Sequence, residues 1–228
     1  MRLEDLNWMD VERYLQQEDR LMLVAGSTEQ HAYLSLLTDI KIPLALADAA
    51  SQATGVLVAP PLNFGVSPYF LAYPGTLSLR AATLCAAVED IIRSAYGHGF
   101  KRILVVNGHG GNSPVRSHLQ EVNNALPDLR LNWYDWWLSP SVEGVSRKND
   151  LKPSHANWLE AFPFTIVGDL PDGMKPWPNV PSAIMDAKTA RRVYGDGSFG
   201  GAYRASEDVM HELFSVCLQD IMRLLDFE

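Results

Sequence analysis

Apolar residues recur along this chain in two patterns, short unbroken runs and longer stretches with helical spacing. Runs at 21–25, 55–59, 103–106 and 129–134 read as strands. The run at 103–106 is β-branched and apolar without alternation, which suits a parallel strand buried on both faces. Between and around these runs lie stretches of helical period. Residues 6–17 carry apolar Trp8, Met9, Val11, Tyr14 and Leu15 and read as an amphipathic helix capped near Asn7. Residues 42–53, 79–96, 114–124 and 206–225 read as further helices, the second of these ended by Gly97 and Gly99. The order β-α-β-loop-α-β-α-β predicts an α/β fold with a mostly parallel, doubly wound sheet and right-handed crossovers. At 228 residues the chain fits one domain, 1–228.

The segments between these elements are unequal. Residues 62–76 form a long loop carrying Phe64, Tyr69, Phe70 and Tyr73, aromatic enough to be ordered and to pack near a site or a subunit interface. Residues 139–154 read as polar, irregular and mobile, and 155–161 as one or two helical turns. Residues 166–181 are Pro/Gly-rich and 195–201 Gly-rich, and both read as loops.

Chemistry concentrates where strands end. After the strand at 103–106, the glycines of Asn107-Gly108-His109-Gly110-Gly111-Asn112 stop the extended run. Ser113 and Pro114 then open a helix as N-cap and first helical residue. His109 therefore stands where a parallel strand gives way to its helix, the edge at which open α/β sheets bind ligands. Locally this pattern leaves a metal ligand and a phosphate-binding turn both open. Glu29 and His31 follow the first strand two residues apart, on one side of an extended segment, and Asp39 closes their loop. His155 and Glu160 form a third group. Three imidazoles and three carboxylates suit a divalent metal, zinc first and manganese or iron as alternatives, and a bridging carboxylate would serve two ions. His98, His118 and His211 fall in or beside helices and read as structural or surface residues.

Composition narrows the function classes. A formal net charge of −8 argues against nucleic acid or an anionic membrane as partner. No run is long enough to span a membrane, and no apolar signal segment follows Met1, so the expected location is the cytoplasm. Cys85 and Cys217 sit in helical patterns and read as reduced core thiols. There is no Gly-x-Ser-x-Gly elbow, and the glycines around His109 lack the Lys-Ser/Thr of a phosphate loop.

Several stretches together resemble the creatininase (creatinine amidohydrolase) family. They are Gly26-Ser27-Thr28-Glu29-Gln30-His31 with Thr38-Asp39, Phe64-Gly65-Val66-Ser67, Tyr73-Pro74-Gly75-Thr76, Val106-Asn107-Gly108-His109-Gly110-Gly111-Asn112, His155-Ala156 with Glu160, and Gly197-Ser198-Phe199-Gly200. The resemblance spans nearly the whole chain in order. It implies a three-layer α/β/α fold, a hexamer and metal-dependent hydrolysis of a C–N amide bond in a small cyclic amide or formamide. It also implies two metal ions per chain, with Glu29, His31, Asp39, His109 and Glu160 as ligands and Asp39 as the bridge. His155 falls on a histidine placed for proton transfer, with Glu160 beside it as the second catalytic candidate. Tyr69, Phe70, Tyr73, Trp136 and Trp137 are the expected walls of the substrate pocket. The alternative is a binding or assembly protein that keeps the fold without the chemistry. Departures set this chain apart from creatininase itself: the first loop is one residue shorter and lacks a second histidine, Gly111 stands where creatininase has glutamate, and Asn157 replaces a usual glycine. The substrate is left open.

Overall fold

A computed structural model describes residues 1–228. Four parallel strands, β1 (Arg20–Ala25), β2 (Leu57–Val58), β3 (Arg102–Asn107) and β4 (Arg130–Asp135), form the central sheet in the order β2-β1-β3-β4. The ends of β1, β3 and β4 lie in register, with Ala25 opposite Asn107 and Asn107 opposite Asp135. Loops leaving these strands therefore start side by side.

Strand side chains alternate between the two faces, and each face has its own core. Met22, Val24, Val58, Leu104 and Val106 pack against α2 (Thr38–Thr54), α5 (Pro140–Lys148) and α7 (Glu207–Leu224). Leu21, Leu23, Leu57, Ile103 and Val105 pack against α1 (Trp8–Leu15), α3 (Ala81–His98) and α4 (Ser113–Ala125). The result is the expected three-layer α/β/α sandwich. No helix is long and apolar enough to cross a membrane, and both cysteines are free thiols, Cys217 buried and Cys85 half-buried.

The structure corrects the sequence reading in four places. Helix α2 begins at Thr38, not 42, so Asp39 is a first-turn helical residue and not a loop closure. Residues 139–154 are not irregular throughout: Ser139 caps α5 by accepting from the Val142 N–H, and Val142 and Val145 are buried beneath it. A further helix, α6 (Ala187–Tyr194), is capped by Asp186 and lies between the paired strands β5 (Met174–Lys175) and β6 (Gly201–Ala202). At α4 the cap is Asn112 and Ser113 is already helical. The Asn112 side chain is committed elsewhere: it donates to Gly26 C=O and Asn107 Oδ1, and accepts from Val66 N–H. One buried amide thus ties together the loops after β1, after β2 and after β3.

Candidate metal centre

Pro43 lies in the second turn of α2 and has no N–H to offer the Asp39 carbonyl four residues earlier. The backbone beyond β3 packs against that carbonyl. A Cβ on Gly108 would lie 1.9 Å from the Asp39 carbonyl oxygen and 2.8 Å from Pro43 Cγ, so only glycine allows the approach. The contact brings the α2 N-terminus to the sheet edge and sets Asp39 between His31 and His109. On the β3 side, Asn107 accepts from the His109 N–H and donates to the His109 C=O, which fixes the turn.

Six side chains meet there. His31 Nε2 lies 2.9 Å from Asp39 Oδ1 and 3.8 Å from Glu160 Oε1. His109 Nδ1 lies 2.9 Å from Asp39 Oδ2, and its Nε2 is 3.7 Å from Glu29 Oε2. His155 Nδ1 is 3.9 Å from Glu29 Oε1. The donors fall into triads: Glu29, Asp39 and His109; His31, Asp39 and Glu160; and Glu29, His31 and His155. Asp39 belongs to the first two.

These residues fit a divalent ion. His31 Nε2 and Asp39 Oδ2 are buried without a hydrogen-bond partner; the 2.9 Å approach of His31 to Asp39 is close but misaligned for a hydrogen bond. Such orphaned groups are costly unless something else satisfies them. The tautomers agree. The His31 Nδ1–H donates to the Glu29 carbonyl at 3.0 Å, and the His109 Nε2–H to the Val66 carbonyl at 3.0 Å. Each ring thereby turns its other nitrogen toward Asp39, the arrangement that outer partners impose on metal-binding imidazoles. Glu160 accepts the Ala156 N–H on Oε2 at 2.6 Å, leaving Oε1 toward His31. Ala156 holds a left-handed backbone, φ 52°, to make that contact.

Electrostatics point the same way. Burial opposes charge on His31, but Asp39 and then Glu160 outweigh it and raise the ring to about 10. Burial likewise opposes charge on His109, and Asp39 outweighs it, to about 9. Burial also works against the Asp39 carboxylate, yet His31 and His109 hold it below the usual carboxylate range. Burial pushes Glu160 up to about 7 and Glu29 upward. Burial, then the neighbouring His31, holds His155 well below an ordinary histidine. Protons on His31 and His109 occupy the positions a cation would take.

A cavity of about 460 Å³ opens on the donors, lined among others by Tyr69, Phe70, Trp137 and Phe199. Phe70 stacks on His155 with ring centres 4.8 Å apart. Two expected wall residues are elsewhere. Trp136 is 1 % exposed and packs in the core against Phe162, because the chain turns it inward as it turns Trp137 out. Tyr73 is buried behind Phe70, at 5.8 Å between rings. Sequence reasoning passed over Ser67, Phe199 and Gln30. Ser67 Oγ lies 3.2 Å from His109 Nε2 and 2.6 Å from Ser27 Oγ. Ser67 and Phe199 stand in the recognised motifs, but nothing local marked a role for them. A larger cavity of about 920 Å³, between α1, α3 and the start of β1, contains none of the six donors.

A model of the Creatininase family, described as creatinine amidohydrolase, matches residues 4–225. The chain belongs to the creatininase family. Among curated proteins, creatinine amidohydrolase of Pseudomonas putida is 31% identical over 156 residues, covering 60% of this chain and 59% of that protein. A mycofactocin precursor peptide peptidase of Mycolicibacterium smegmatis is 38% identical over 99 residues, 40% of each chain. The matches thus span less than two thirds of these relatives. A solved mutant creatininase described as the Zn-Zn type superposes with a TM-score of 0.82 at 23% identity, over 97% of this chain and 95% of that one. That likeness supports the creatininase fold in full.

Proposed function

We propose that this creatininase-family chain is a metal-dependent amidohydrolase that uses water to cleave the C–N bond of a small amide, of cyclic amide or formamide type. The observation that carries the reading is the pair of triads sharing Asp39. Glu29, Asp39 and His109 would hold one divalent ion, and His31, Asp39 and Glu160 a second. The mixture of imidazole and carboxylate suits zinc first, with manganese or iron as alternatives. When bound, such ions bring the pKa of water toward neutrality and polarise a carbonyl oxygen.

The protein's own residues account for the rest. A cavity of about 460 Å³ is of a size for a small molecule. Tyr69, Phe70, Trp137 and Phe199 hold a flat group against the donors and exclude water. No lysine or arginine lines the cavity, so an anionic substituent held away from the ions would find no partner, which favours an uncharged amide. Glu160, fixed by Ala156 N–H, keeps one oxygen for the centre. His155 turns Nδ1 toward the donors, 3.9 Å from Glu29 Oε1, where it would meet the substrate.

The test is His109→Ala. Metal content by elemental analysis and turnover on a panel of cyclic amides, formamides and short peptides should both be lost. Full metal content with unchanged turnover would overturn the proposal. Hydrolysis of the peptides alone would keep the metal reading and replace the substrate class.

A further inference from the structure

Gln30 lies between two candidate ligands in sequence, yet its side chain turns away from the triads. Two backbone groups fix its amide. Oε1 accepts from the Ala32 N–H at 3.1 Å, and Nε2 donates to the Gly197 carbonyl at 3.1 Å. A flipped amide would set oxygen against carbonyl and NH₂ against N–H, losing both bonds. The approach of Gly197 is itself specific: its φ is 105°, and a Cβ there would lie 1.8 Å from Gln30 Oε1. Gln30 is buried, so neither bond has water as a substitute.

The amide's remaining N–H faces His155. Gln30 Nε2 is 2.9 Å from His155 Nε2, and at that position Gln30 can only donate. His155 Nε2 must therefore offer its lone pair, and the ring proton must sit on Nδ1. Nδ1 is the nitrogen that faces Glu29 Oε1 across the centre, at 3.9 Å. Stacking on Phe70 and contact with Phe199, ring centres 4.9 Å away, hold the ring plane. This is the opposite of His31 and His109. A backbone carbonyl takes one N–H of each of those rings and leaves the other nitrogen, the one that would face an ion, turned inward. Gln30 takes the lone pair of His155 and leaves a proton facing inward.

We propose that Gln30 is a positioning residue that locks His155 as its Nδ1–H tautomer, so that His155 meets the substrate as a hydrogen-bond donor and is not a metal ligand. The inference deepens the metal-dependent reading above and rests on it for the word substrate. A donor fixed in this way stabilises negative charge developing on a reacting atom without itself reorganising. A ring already protonated on its inward nitrogen has no lone pair there to bind an ion.

The test is the side-chain nitrogen spectrum of His155. Protein labelled with ¹⁵N-histidine, metal-free and zinc-loaded, gives long-range proton–nitrogen correlations, and His155→Ala identifies the signal that belongs to this ring. A protonated Nδ1 with a bare Nε2 is expected in both forms. A proton on Nε2, or on both nitrogens, overturns the proposal. In Gln30→Glu the carboxylate accepts from His155, and the proton should move to Nε2. Should that variant fail to fold, Gln30→Met should give a mixture of the two tautomers. An unchanged single Nδ1–H tautomer in the folded variant shows that Gln30 is not what locks it. Zinc titration of His155→Ala should match the stoichiometry of the unaltered protein, and loss of one ion per chain would make His155 a ligand and refute the idea. If zinc binds neither protein, the metal reading fails while the metal-free spectrum still decides the tautomer.

Discussion

Filling the centre with zinc should expel protons, and the raised His31 and His109 set the number expected. His31 is raised to about 10 and His109 to about 9, so at pH 7 each metal-free ring carries a second proton on the nitrogen facing Asp39. A ligand imidazole must give that proton up. Glu160, raised to about 7, is partly protonated at the same pH and must release that proton too. The expected release is therefore about two protons per chain, and somewhat more with Glu160. Two displaced protons make the summed binding free energy depend on pH by roughly 2.7 kcal/mol per unit. The sign follows from the direction of the shifts. Histidines raised by folding stabilise the metal-free protein fully below about pH 6.5, and that contribution disappears as pH rises through about 9 and then about 10. Zinc affinity rises with pH while those protons compete with the metal and levels off above about 10, where they are gone. Isothermal titration calorimetry at pH 7, in buffers of different ionisation enthalpy, counts the protons directly. Release of fewer than one proton per chain would refute the reasoning, because then His31 and His109 either carry no extra protons or are not displaced by the metal.

Further expectations bear on the supporting structure. Gly108→Ala drives a Cβ to 1.9 Å from the Asp39 carbonyl oxygen, so it should cost about 1–3 kcal/mol in chemical denaturation and lower zinc affinity with it. Unchanged stability and affinity would show that α2 can retreat without moving Asp39. Trp136→Phe opens space in the core and should lower the melting temperature without changing KM for whichever amide is turned over, while Trp137→Phe should do the reverse. Equal effects of the two would contradict their assignment to core and cavity. The hexamer implied by the resemblance predicts a sedimenting particle of six 25.3 kDa chains, and a monomer at micromolar concentration would dismiss it.

Much of the fold was readable because the strands are apolar runs and the helices carry clear periods. The apolar run at 103–106 lies within β3, and the glycine-rich turn after it does deliver His109 to the sheet edge. Helix α5 was missed although Ser139-Pro140 repeats the Ser-Pro pattern that marked α4. Only Val142 and Val145 supply its apolar face, too few to show a period among polar neighbours. The two tryptophans show a different limit. Trp136 and Trp137 are adjacent and alike, and which one faces the cavity is settled by the turn after β4, a tertiary fact with no local signature. Gln30 is a third case, since an amide between two ligands has no composition or period to announce it. Its role emerges only when Ala32, Gly197 and His155, widely separated in sequence, are seen around it.

Asp39 shows how one substitution pattern can carry several of these requirements. As a residue in the first turn of α2 it could have faced solvent, like many helix-opening acids. Pro43 leaves its carbonyl without a helical N–H, and Gly108 allows the strand-end backbone to pack against that carbonyl. The packing buries the carboxylate between two imidazoles whose orientations are set by the Glu29 and Val66 carbonyls. A buried carboxylate without such partners would take up a proton instead. His31 and His109 thus keep Asp39 ionised in the metal-free protein, and the same carboxylate keeps them protonated. Held in this way, the three side chains retain their places while no cation is bound. Exchanging two protons for metal then requires little rearrangement of the backbone, so the metal-free and zinc-loaded proteins should share one fold and differ chiefly in stability and in its dependence on pH.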